Sequence, residues 1–552
     1  MANAAISGRV VDAGTDAPIA GAIVRQQATD GPQTTTNAAG EFTLNITPAD
    51  AVAIGAARPY DHASALNYVS NIGFGSNGQT NVEIRLERLP NAPNNAYTPA
   101  DAQLCSACHG EQFEQWQSSR HAGAAVNPWV RDLFSGDGTP GGGAGYVFKT
   151  SHDPGESGFC ASCHAPMQDV FTPGQLLFDA VSTQAGRDGV SCLGCHQQAN
   201  VDAARINGIA HVDGKVSYRF PSDSKHPTSL YVFGPLPDVE ASIMRNSYRP
   251  QIEQSIACAG CHQYNRPDNG APGQNTYAEW LGSPFAQPGP NFRTCQNCHM
   301  PNESGPGPIA TTAGFDRPAS QRHRHTFIGS TPATLSNAIL LRASVSETAG
   351  VLIVNAEVEN RGAGHSFPGG VSIRNAILSL DVRANGVPLP QQGGPVVPFY
   401  GSDDVPGTQP GDLAGLPGKG FAKVLEGRIN DQGATVRPVL FIDAERLASD
   451  TVIPSGATDR STYAFSLAGV TAGTPITVDA RLVYRRAFRA LAVTKGWTVT
   501  PSGGPIEIEV GRQQISAVAQ GTSAIGVPLL GHWALVLLGL VVLLVGLSVT
   551  RR

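Results

Sequence analysis

Cysteine and histidine recur in one fixed pattern along this sequence. Two cysteines stand three positions apart and a histidine follows the second at once, in five places that read CSACH, CASCH, CLGCH, CAGCH and CQNCH. All ten cysteines belong to these units. The residues are Cys105, Cys108 and His109; Cys160, Cys163 and His164; Cys192, Cys195 and His196; Cys258, Cys261 and His262; and Cys295, Cys298 and His299.

This spacing suits the covalent attachment of haem. The two thiols form thioethers with the two vinyl groups of one haem, and the adjacent histidine reaches the iron as its proximal ligand. A disulfide framework does not require a histidine after every second cysteine. Zinc sites pair such motifs, and an odd number leaves one unpaired, while a thioredoxin-like dithiol normally occurs once. The sequence therefore predicts five c-type haems, with the five motif histidines as proximal ligands.

The sixth ligand of each iron decides what a haem can do. A second histidine gives a saturated iron suited to electron transfer, and an open position lets a substrate bind. Two of the other histidines are poor candidates, because His62 lies in the N-terminal region and His532 begins the C-terminal apolar segment. The candidates for the sixth position are His121, His152, His211, His226, His323, His325 and His365.

The candidate sixth ligands differ in their sequence context. His121 ends a predicted short helix that carries Trp116. His323 and His325, in QRHRHTF, would face the same side of a strand, so either could bind an iron. His365 lies in the glycine-rich loop GAGHSFPGG, and the remaining three candidates flank the second and third motifs in loops.

Composition and patterning predict several domains. The chain has 552 residues and a net charge of −6, which provides no basic surface for nucleic acid. Abundant glycine and proline (63 and 41 residues) predict many turns. Alternating apolar residues in GEFTLNI and in VLIVNAEVEN predict half-buried strands. We predict a β-sandwich over residues 1–90, a loop-rich, mainly α haem domain over 91–330, a second β-sandwich over 331–512 and a linker over 513–526.

The two ends of the chain bear on where the protein works. The apolar run from Trp533 to Val549 is followed by Arg551 and Arg552, which predicts a single C-terminal transmembrane helix within residues 527–552, with the haem domain outside the cytoplasm. The segment also resembles bacterial C-terminal sorting signals of the IPTL type, which are cut off. The start, MANAAISGRV, has no signal-peptide pattern, so we expect an export signal upstream of it.

Two stretches resemble known families. ISGRVVDAGTDAPIAGAIVRQQATDGPQTTTNAAGEFTL resembles carboxypeptidase regulatory-like domains, which implies a seven-stranded sandwich that serves as a spacer or adhesion module. The order CSACH…SRHAG, GFCASCHAPM, DGVSCLGCHQ, CAGCHQ, TCQNCHMP resembles the multihaem cytochrome c family that includes tetrahaem electron carriers of ammonia oxidation and their octahaem relatives. That resemblance implies closely paired haems, mostly with two histidine ligands, and it implies that His121 is a distal ligand.

One segment departs from the family pattern. EWLGSPFAQPG has Phe285 where a histidine could be expected. One haem therefore needs a ligand from farther along the chain, or its sixth position stays open.

These observations favour a pentahaem electron carrier in the bacterial periplasm or at the cell surface. Its expected partners are other cytochromes or redox proteins and, through the C-terminal segment, the membrane. An alternative is an oxidoreductase that acts on a small nitrogen or sulfur compound at one five-coordinate haem. A third reading is a self-assembling surface protein whose haems connect between subunits.

Overall fold

Short helices separated by turns are the main local feature of the motif-bearing region. The computed structural model describes residues 4–46, 51–76, 78–94, 96–207, 214–221, 224–241, 243–403 and 411–520. In these residues no α-helix exceeds eight residues, since glycine and proline interrupt helical runs. The helices are α1 Ala102–Ser106, α2 Gly110–Gln117, α3 Pro128–Phe134, α4 Phe148–Ser151, α5 Cys160–His164, α6 Pro166–Asp169, α7 Gln184–Arg187, α8 Cys192–His196, α9 Ile256–His262, α10 Thr276–Leu281, α11 Cys295–His299, α12 Pro332–Ala338 and α13 Arg489–Thr494.

The N-terminal strands form two sheets around one core. Sheet order is β4-β1-β7 in one and β3-β2-β5-β6 in the other. Phe42, Leu44 and Ile46 alternate with exposed residues and are buried, which confirms the alternation predicted for this strand. They pack with apolar residues of both sheets, such as Ile6 and Ile54. The strands are β1 Ala4–Asp12, β2 Ile23–Gln26, β3 Gln33–Thr35, β4 Glu41–Ile46, β5 Val52–Ala57, β6 Asn71–Gly75 and β7 Val82–Leu86.

The motif-bearing region adds three two-stranded sheets to its helices. These pair β8 with β9 and β12 with β13 as antiparallel strands, and β10 with β11 as parallel strands. Their bounds are β8 Gln198–Val201, β9 Val216–Tyr218, β10 Leu230–Gly234, β11 Met244–Tyr248, β12 Tyr264–Asn265 and β13 Pro272–Gln274.

The C-terminal strands form two larger sheets that share one core. Their orders are β14-β15-β21-β18 and β20-β19-β16-β22-β23, with β17 paired to β16. Leu352, Val354 and Val358 of β15 are buried against residues of the other sheet such as Leu378, which confirms the predicted alternation. The strands are β14 Ile339–Thr348, β15 Val351–Asn360, β16 Asn375–Ala384, β17 Val387–Pro388, β18 Gln391–Gly393, β19 Gly418–Glu426, β20 Arg446–Asp450, β21 Thr458–Ser466, β22 Pro475–Arg485 and β23 Glu507–Val518.

Buried polar contacts join the flanking sheets to the motif-bearing region. Arg317 binds both carboxylate oxygens of Asp238 at 3.1 and 3.0 Å, and the main-chain N–H of Ala28 donates to the same carboxylate at 2.7 Å. On the other side, Nζ of Lys495 donates to three main-chain carbonyls near α3, among them that of Asp132 at 3.0 Å. The sheets therefore hold the motif helices through specific contacts.

The predicted fold class is wrong as stated. The region predicted to be mainly α contains six strands, because the loops between its short helices pair with one another. No helix in the described residues is long and apolar enough to cross a bilayer. The predicted single transmembrane helix falls on 527–552, which lies outside the described residues. The predicted linker begins inside β23, which continues to Val518 because it pairs with β22 along its whole length.

Candidate haem-attachment sites

Each of the five motifs lies on or beside a short helix. In α5, α8 and α11 the helix begins at the first cysteine and ends at the histidine, and α9 begins two residues earlier. The first motif differs, because α1 ends at Ser106 and His109 caps the next helix. Positions three apart lie on one helix face, so both thiols of a motif in a helix point to the same side. This is the arrangement that two thioether bonds to one haem require.

Four of the five motif histidines make the same kind of contact through Nδ1. In His109, His164 and His196 this nitrogen donates to a main-chain carbonyl oxygen at 2.7, 3.1 and 3.0 Å, respectively. Nδ1 of His299 donates to the carbonyl oxygen of Ile328. Only His262 differs, because its Nδ1 lies 2.8 Å from the side-chain amide of Gln274.

The amide nitrogen of Gln274 can only donate, so Nδ1 of His262 accepts. The four contacts with carbonyl oxygens fit a haem ligand. A carbonyl oxygen can only accept, so the ring carries its proton on Nδ1 and keeps the lone pair of Nε2 for a metal. A hydrogen bond of this kind also fixes the orientation of the ring. Among the described residues, no cluster of three or more His, Cys, Asp or Glu side chains is arranged to hold a metal ion by itself. With the proton on Nδ1, the four histidines that have a carbonyl partner present Nε2 as the atom that could bind an iron.

Burial keeps the imidazoles of three motif histidines and of two candidate sixth ligands neutral. Burial lowers the pKa of His164 and His196, and together with nearby imidazoles it lowers the pKa of His262 to about 3. It also lowers the pKa of His121 and His325 to about 4 each. The neutral ring is the form that binds a metal, so these side chains are ready to bind iron at neutral pH.

Cysteines of different motifs lie side by side. The thiols of Cys105 and Cys192 are hydrogen-bonding neighbours, which places the first motif beside the third. The same holds for Cys163 with Cys261 and for Cys258 with Cys295, so the fourth motif contacts the second and the fifth. The thiol of Cys195, in the third motif, is close enough to act electrostatically on both thiols of the fourth. The five motifs therefore form one connected array, with the fourth at its branch point.

His121 faces the histidine of the fourth motif. The ring centroids of His121 and His262 are 6.1 Å apart and their planes are inclined by 53°. Nδ1 of His121 is buried and has no hydrogen-bond partner among the described residues. The preceding helix is the one that the sequence predicts, and its Trp116 is buried and donates to the carbonyl oxygen of Val190 at 2.8 Å. Gly189 lies against the carbonyl oxygen of His121, where a Cβ would come within 2.3 Å.

His323 and His325 have different surroundings, and the predicted strand is not present because the segment forms no ladder beyond one isolated bridge. Nδ1 of His323 donates to the carbonyl oxygen of Met300 at 2.9 Å, and Nε2 lies 3.8 Å from a carboxylate oxygen of Glu253. The ring of His325 is buried where His196 and His109 act on it, and its Nδ1 donates to a main-chain carbonyl at 2.9 Å. The structure thus brings His325, rather than its neighbour, to the first and third motifs.

His365 lies next to the segment EWLGSPFAQPG, in which Phe285 stands where a histidine could be expected. Its loop passes next to Phe285 and Trp280, since a Cβ on Gly364 would meet both rings at 3.8 and 3.4 Å. Nδ1 of His365 donates to the carbonyl oxygen of Ser366 at 3.0 Å, and burial lowers the pKa of the ring. The ionisable groups that act on the ring electrostatically are Glu279, His299 and Arg374. The ring of His365 also lies against Gly369, where a Cβ would come within 2.6 Å of Nδ1.

Two other candidates have partners other than a motif histidine, and a third lies outside the described residues. Both ring nitrogens of His152 are occupied, with Nδ1 3.2 Å from the carbonyl oxygen of Phe148 and Nε2 2.8 Å from Oδ1 of Asp443. Nε2 of His226 lies 3.2 Å from a carboxylate oxygen of Glu87, at the N-terminal sheets. His211 lies outside the described residues.

Sequence reasoning missed the partners that orient the motif histidines. Four of them are main-chain carbonyls far along the chain, such as those of Ile309 and Ile328, and no residue type marks a carbonyl in advance. The fifth is the side chain of Gln274, at the end of β13. It also missed Arg249, a buried arginine between two motifs.

Similarity to known proteins agrees with this geometry. Residues 104–197, which contain the first three motifs, match the family described as cytochrome c554 and c-prime. No curated protein has a significantly similar sequence. Among solved structures, a penta-heme cytochrome c552 from Thermochromatium tepidum shares 20% identity and a TM-score of 0.48, over 76% of this chain and 99% of that one. The Fcho1 Mu homology domain from Danio rerio with bound Eps15 peptide shares 10% identity and a TM-score of 0.11, over 35% and 46% of the two chains.

Neither structural similarity is close enough to assign a role. The family match rests on sequence, and the matched residues contain the first three motifs. Residues 104–197, with the first three motifs, are therefore similar to the cytochrome c554 and c-prime family.

Proposed function

We propose that the protein carries five haems and passes electrons between redox partners outside the cytoplasm. The observation that carries the proposal is the contact shared by four of the five motif histidines, whose Nδ1 donates to a main-chain carbonyl oxygen and leaves Nε2 for a metal. Attachment of c-type haem takes place outside the cytoplasmic membrane in bacteria, which favours the periplasm or the cell surface. Haem, when bound, supplies a one-electron iron couple whose potential depends on ligands, burial and nearby charge.

The spacing of His121 and His262 favours two-histidine ligation of one iron. The 6.1 Å between their ring centroids would allow both residues to hold the same iron. By the same reasoning from neighbours, we assign His365 to the iron of His299 and His325 to the iron of His109 or of His196. These side chains would hold the irons six-coordinate and keep water from them.

The array of motifs favours hopping from haem to haem. Adjacent thiols connect the first motif to the third, the third to the fourth, and the fourth to the second and fifth. Because each haem is anchored at its thiols, neighbouring anchor points hold neighbouring haems close together. An electron that enters at any haem could then reach any other through the fourth. The proposed partners are other cytochromes or small redox proteins.

A second candidate function is catalysis at the haem of the second motif. The observation behind it is that His152, the candidate nearest to this motif in sequence, is bound to Asp443 and to the carbonyl oxygen of Phe148. If no other group binds this iron, its sixth position is open, as an enzyme that acts on a small nitrogen or sulfur compound requires.

Two measurements test the proposed function. Mass spectrometry and a pyridine haemochrome assay of the protein produced with its haems should give five haems per chain, and replacement of both cysteines of one motif by alanine should remove one. Fewer than five in the unaltered protein would contradict the proposal. Electron paramagnetic resonance (EPR) of the oxidised protein separates the two functions. Low-spin signals alone favour the electron carrier, and one high-spin haem that binds nitrite, hydroxylamine or a sulfur oxyanion favours the enzyme.

A further inference from the structure

Arg249 is a buried cation that has no carboxylate partner among the residues that the structure describes. Its side chain is only 1% exposed, and it follows β11 directly. Nη2 donates to the side-chain oxygens of Gln198 and Gln251 at 3.0 and 2.7 Å. Nε and Nη1 are buried and have no hydrogen-bond partner among the described residues. The protein thus satisfies one of the three guanidinium nitrogens, and it does so with neutral groups.

Arg317 shows what the fold does elsewhere with a buried arginine. It is 0% exposed, and its guanidinium binds both carboxylate oxygens of Asp238 at 3.1 and 3.0 Å. Burial of an ion is costly unless an opposite charge and hydrogen bonds compensate for it. Arg317 receives this compensation from the chain, whereas Arg249 does not. A group that the protein binds is the remaining source of negative charge.

The surroundings of Arg249 point to a haem as that group. The main-chain N–H of Arg249 donates to the carbonyl oxygen of Gly234 at 2.8 Å. The carbonyl oxygen of Phe233, the residue before Gly234, accepts from Nδ1 of His196. The ionisable groups that act on Arg249 most strongly include the thiols of Cys195 and Cys258, in the third and fourth motifs. Burial lowers the pKa of Arg249 to about 10. The side chain is therefore still charged at neutral pH.

We propose that Arg249 binds a carboxylate of a haem propionate and raises the reduction potential of the haem attached at Cys192 and Cys195. This inference rests on the proposed function, since it requires a haem at the third motif. Reduction of that haem takes up one electron from a redox partner and lowers the charge of the site by one. A fixed cation at short range in a medium of low dielectric constant favours the reduced state. Arg249 exchanges no proton in this step. It acts through its charge.

The test compares a charge-removing and a charge-conserving substitution in the haem-loaded protein. In EPR-monitored redox titrations, Arg249→Met should lower the one-electron reduction constant of one haem about tenfold. This change corresponds to a decrease of about 59 mV in its reduction potential. Arg249→Lys keeps the charge and should retain most of the original potential. Arg317→Met is the matched control, because it disturbs an equally buried arginine that already has a carboxylate partner. It should leave the five potentials unchanged.

The outcomes separate this inference from the proposed function. Absence of haem on the peptide that contains Cys192 and Cys195 would remove the proposed function itself. Five low-spin haems with unchanged potentials in Arg249→Met would overturn the inference alone. If Arg249→Met does not accumulate, Arg249→Gln provides the same removal of charge with a side chain that can still hydrogen-bond.

A second arm identifies the source of the carboxylate or similar anion. A propionate is covalently part of the haem, so replacement of chloride by sulfate or phosphate at constant ionic strength should leave the potential of this haem unchanged. A potential that follows the concentration of one of these anions, and that loses this dependence in Arg249→Met, would overturn the propionate assignment in favour of a small free anion.

Discussion

His121 and His262 bring two imidazole rings close together from distant parts of the chain. Their ring centroids are 6.1 Å apart, although the two residues belong to different segments and no hydrogen bond joins them. Nδ1 of His121 is buried and has no hydrogen-bond partner in the described part of the chain. Two neutral imidazoles and an orphaned nitrogen would be an unfavourable arrangement in a core that binds nothing. The pair is explained if a metal lies between the rings.

Replacement of His121 should therefore change the spin state of one haem. In His121→Ala we expect one of the five haems to become high-spin, because its iron loses the sixth ligand that kept it six-coordinate. EPR of the oxidised protein measures this as a high-spin ferric signal that the original protein lacks at this haem. The haem count by mass spectrometry should stay at five, since the thioethers are not affected.

His152→Ala is the control for this substitution. It also removes a buried histidine of the same region, but one whose ring nitrogens contact Asp443 and a main-chain carbonyl. We expect it to leave all low-spin signals in place and to lower the free energy of unfolding by about 1–3 kcal/mol, because a buried carboxylate loses a partner. A high-spin haem in His152→Ala together with none in His121→Ala would reverse the two assignments.

His325 should ligate an iron at the other end of the array. In His325→Ala we expect the low-spin signal of the haem at His109 or at His196 to convert to high-spin, since His325 is the buried imidazole that lies near both. His323→Ala is the matched control two residues away, because its ring contacts Met300 and Glu253 instead. Optical and EPR spectra of the two variants distinguish them. Identical spectra for His325→Ala and the original protein would contradict this assignment.

Local signals predicted local structure well. The alternation of apolar residues identified the buried faces of β4 and β15, because a strand places successive side chains on opposite faces. The helix before His121 was also predicted from its own sequence. The spacing of cysteine and histidine pointed to haem because each motif holds both thiols and the proximal histidine within five consecutive residues.

Contacts between distant segments could not be predicted in the same way. His152 has the same loop-like context as a free ligand, and only the approach of Asp443 from the C-terminal region occupies its ring. Equally, nothing near His365 in sequence indicates that its loop packs on Phe285 and Trp280. The motif-bearing region was predicted to be mainly α, and its short strands escaped notice because two- to five-residue pairings leave little periodicity.

Acid should weaken the N-terminal sheets through Asp12. This carboxylate is fully buried and accepts from the N–H groups of Gly14 and Thr15 at 2.9 and 3.1 Å. Burial acts to raise the pKa of Asp12, but Arg88 and the hydrogen bond from Gly14 outweigh it, so the pKa lies below its usual value. The resulting stabilisation is complete above the unfolded-state pKa of about 3.9 and is lost as the pH falls through the folded-state pKa.

Thermal unfolding of Asp12→Asn, followed by circular dichroism as a function of pH, tests this dependence. The variant should be less stable than the original protein at neutral pH, and the difference should shrink as the pH falls below about 4. Asp16→Asn is the control, because Asp16 pairs with Arg85 at the exposed surface, where an ion pair contributes little. A stability difference that does not vary with pH would contradict the role of Asp12.

Loss of the fourth haem should disconnect the array. The thiols of this motif neighbour those of the second and fifth motifs, and Cys195 of the third motif acts on both of them. In Cys258→Ala with Cys261→Ala we expect four haems that no longer equilibrate in one fast phase after photochemical reduction. The matched variant, Cys295→Ala with Cys298→Ala, also removes one haem, but from the end of a branch. Its remaining haems should still equilibrate together, because the first, third, fourth and second motifs remain neighbours. Fast equilibration in both variants would show that electrons have a route that avoids the fourth motif.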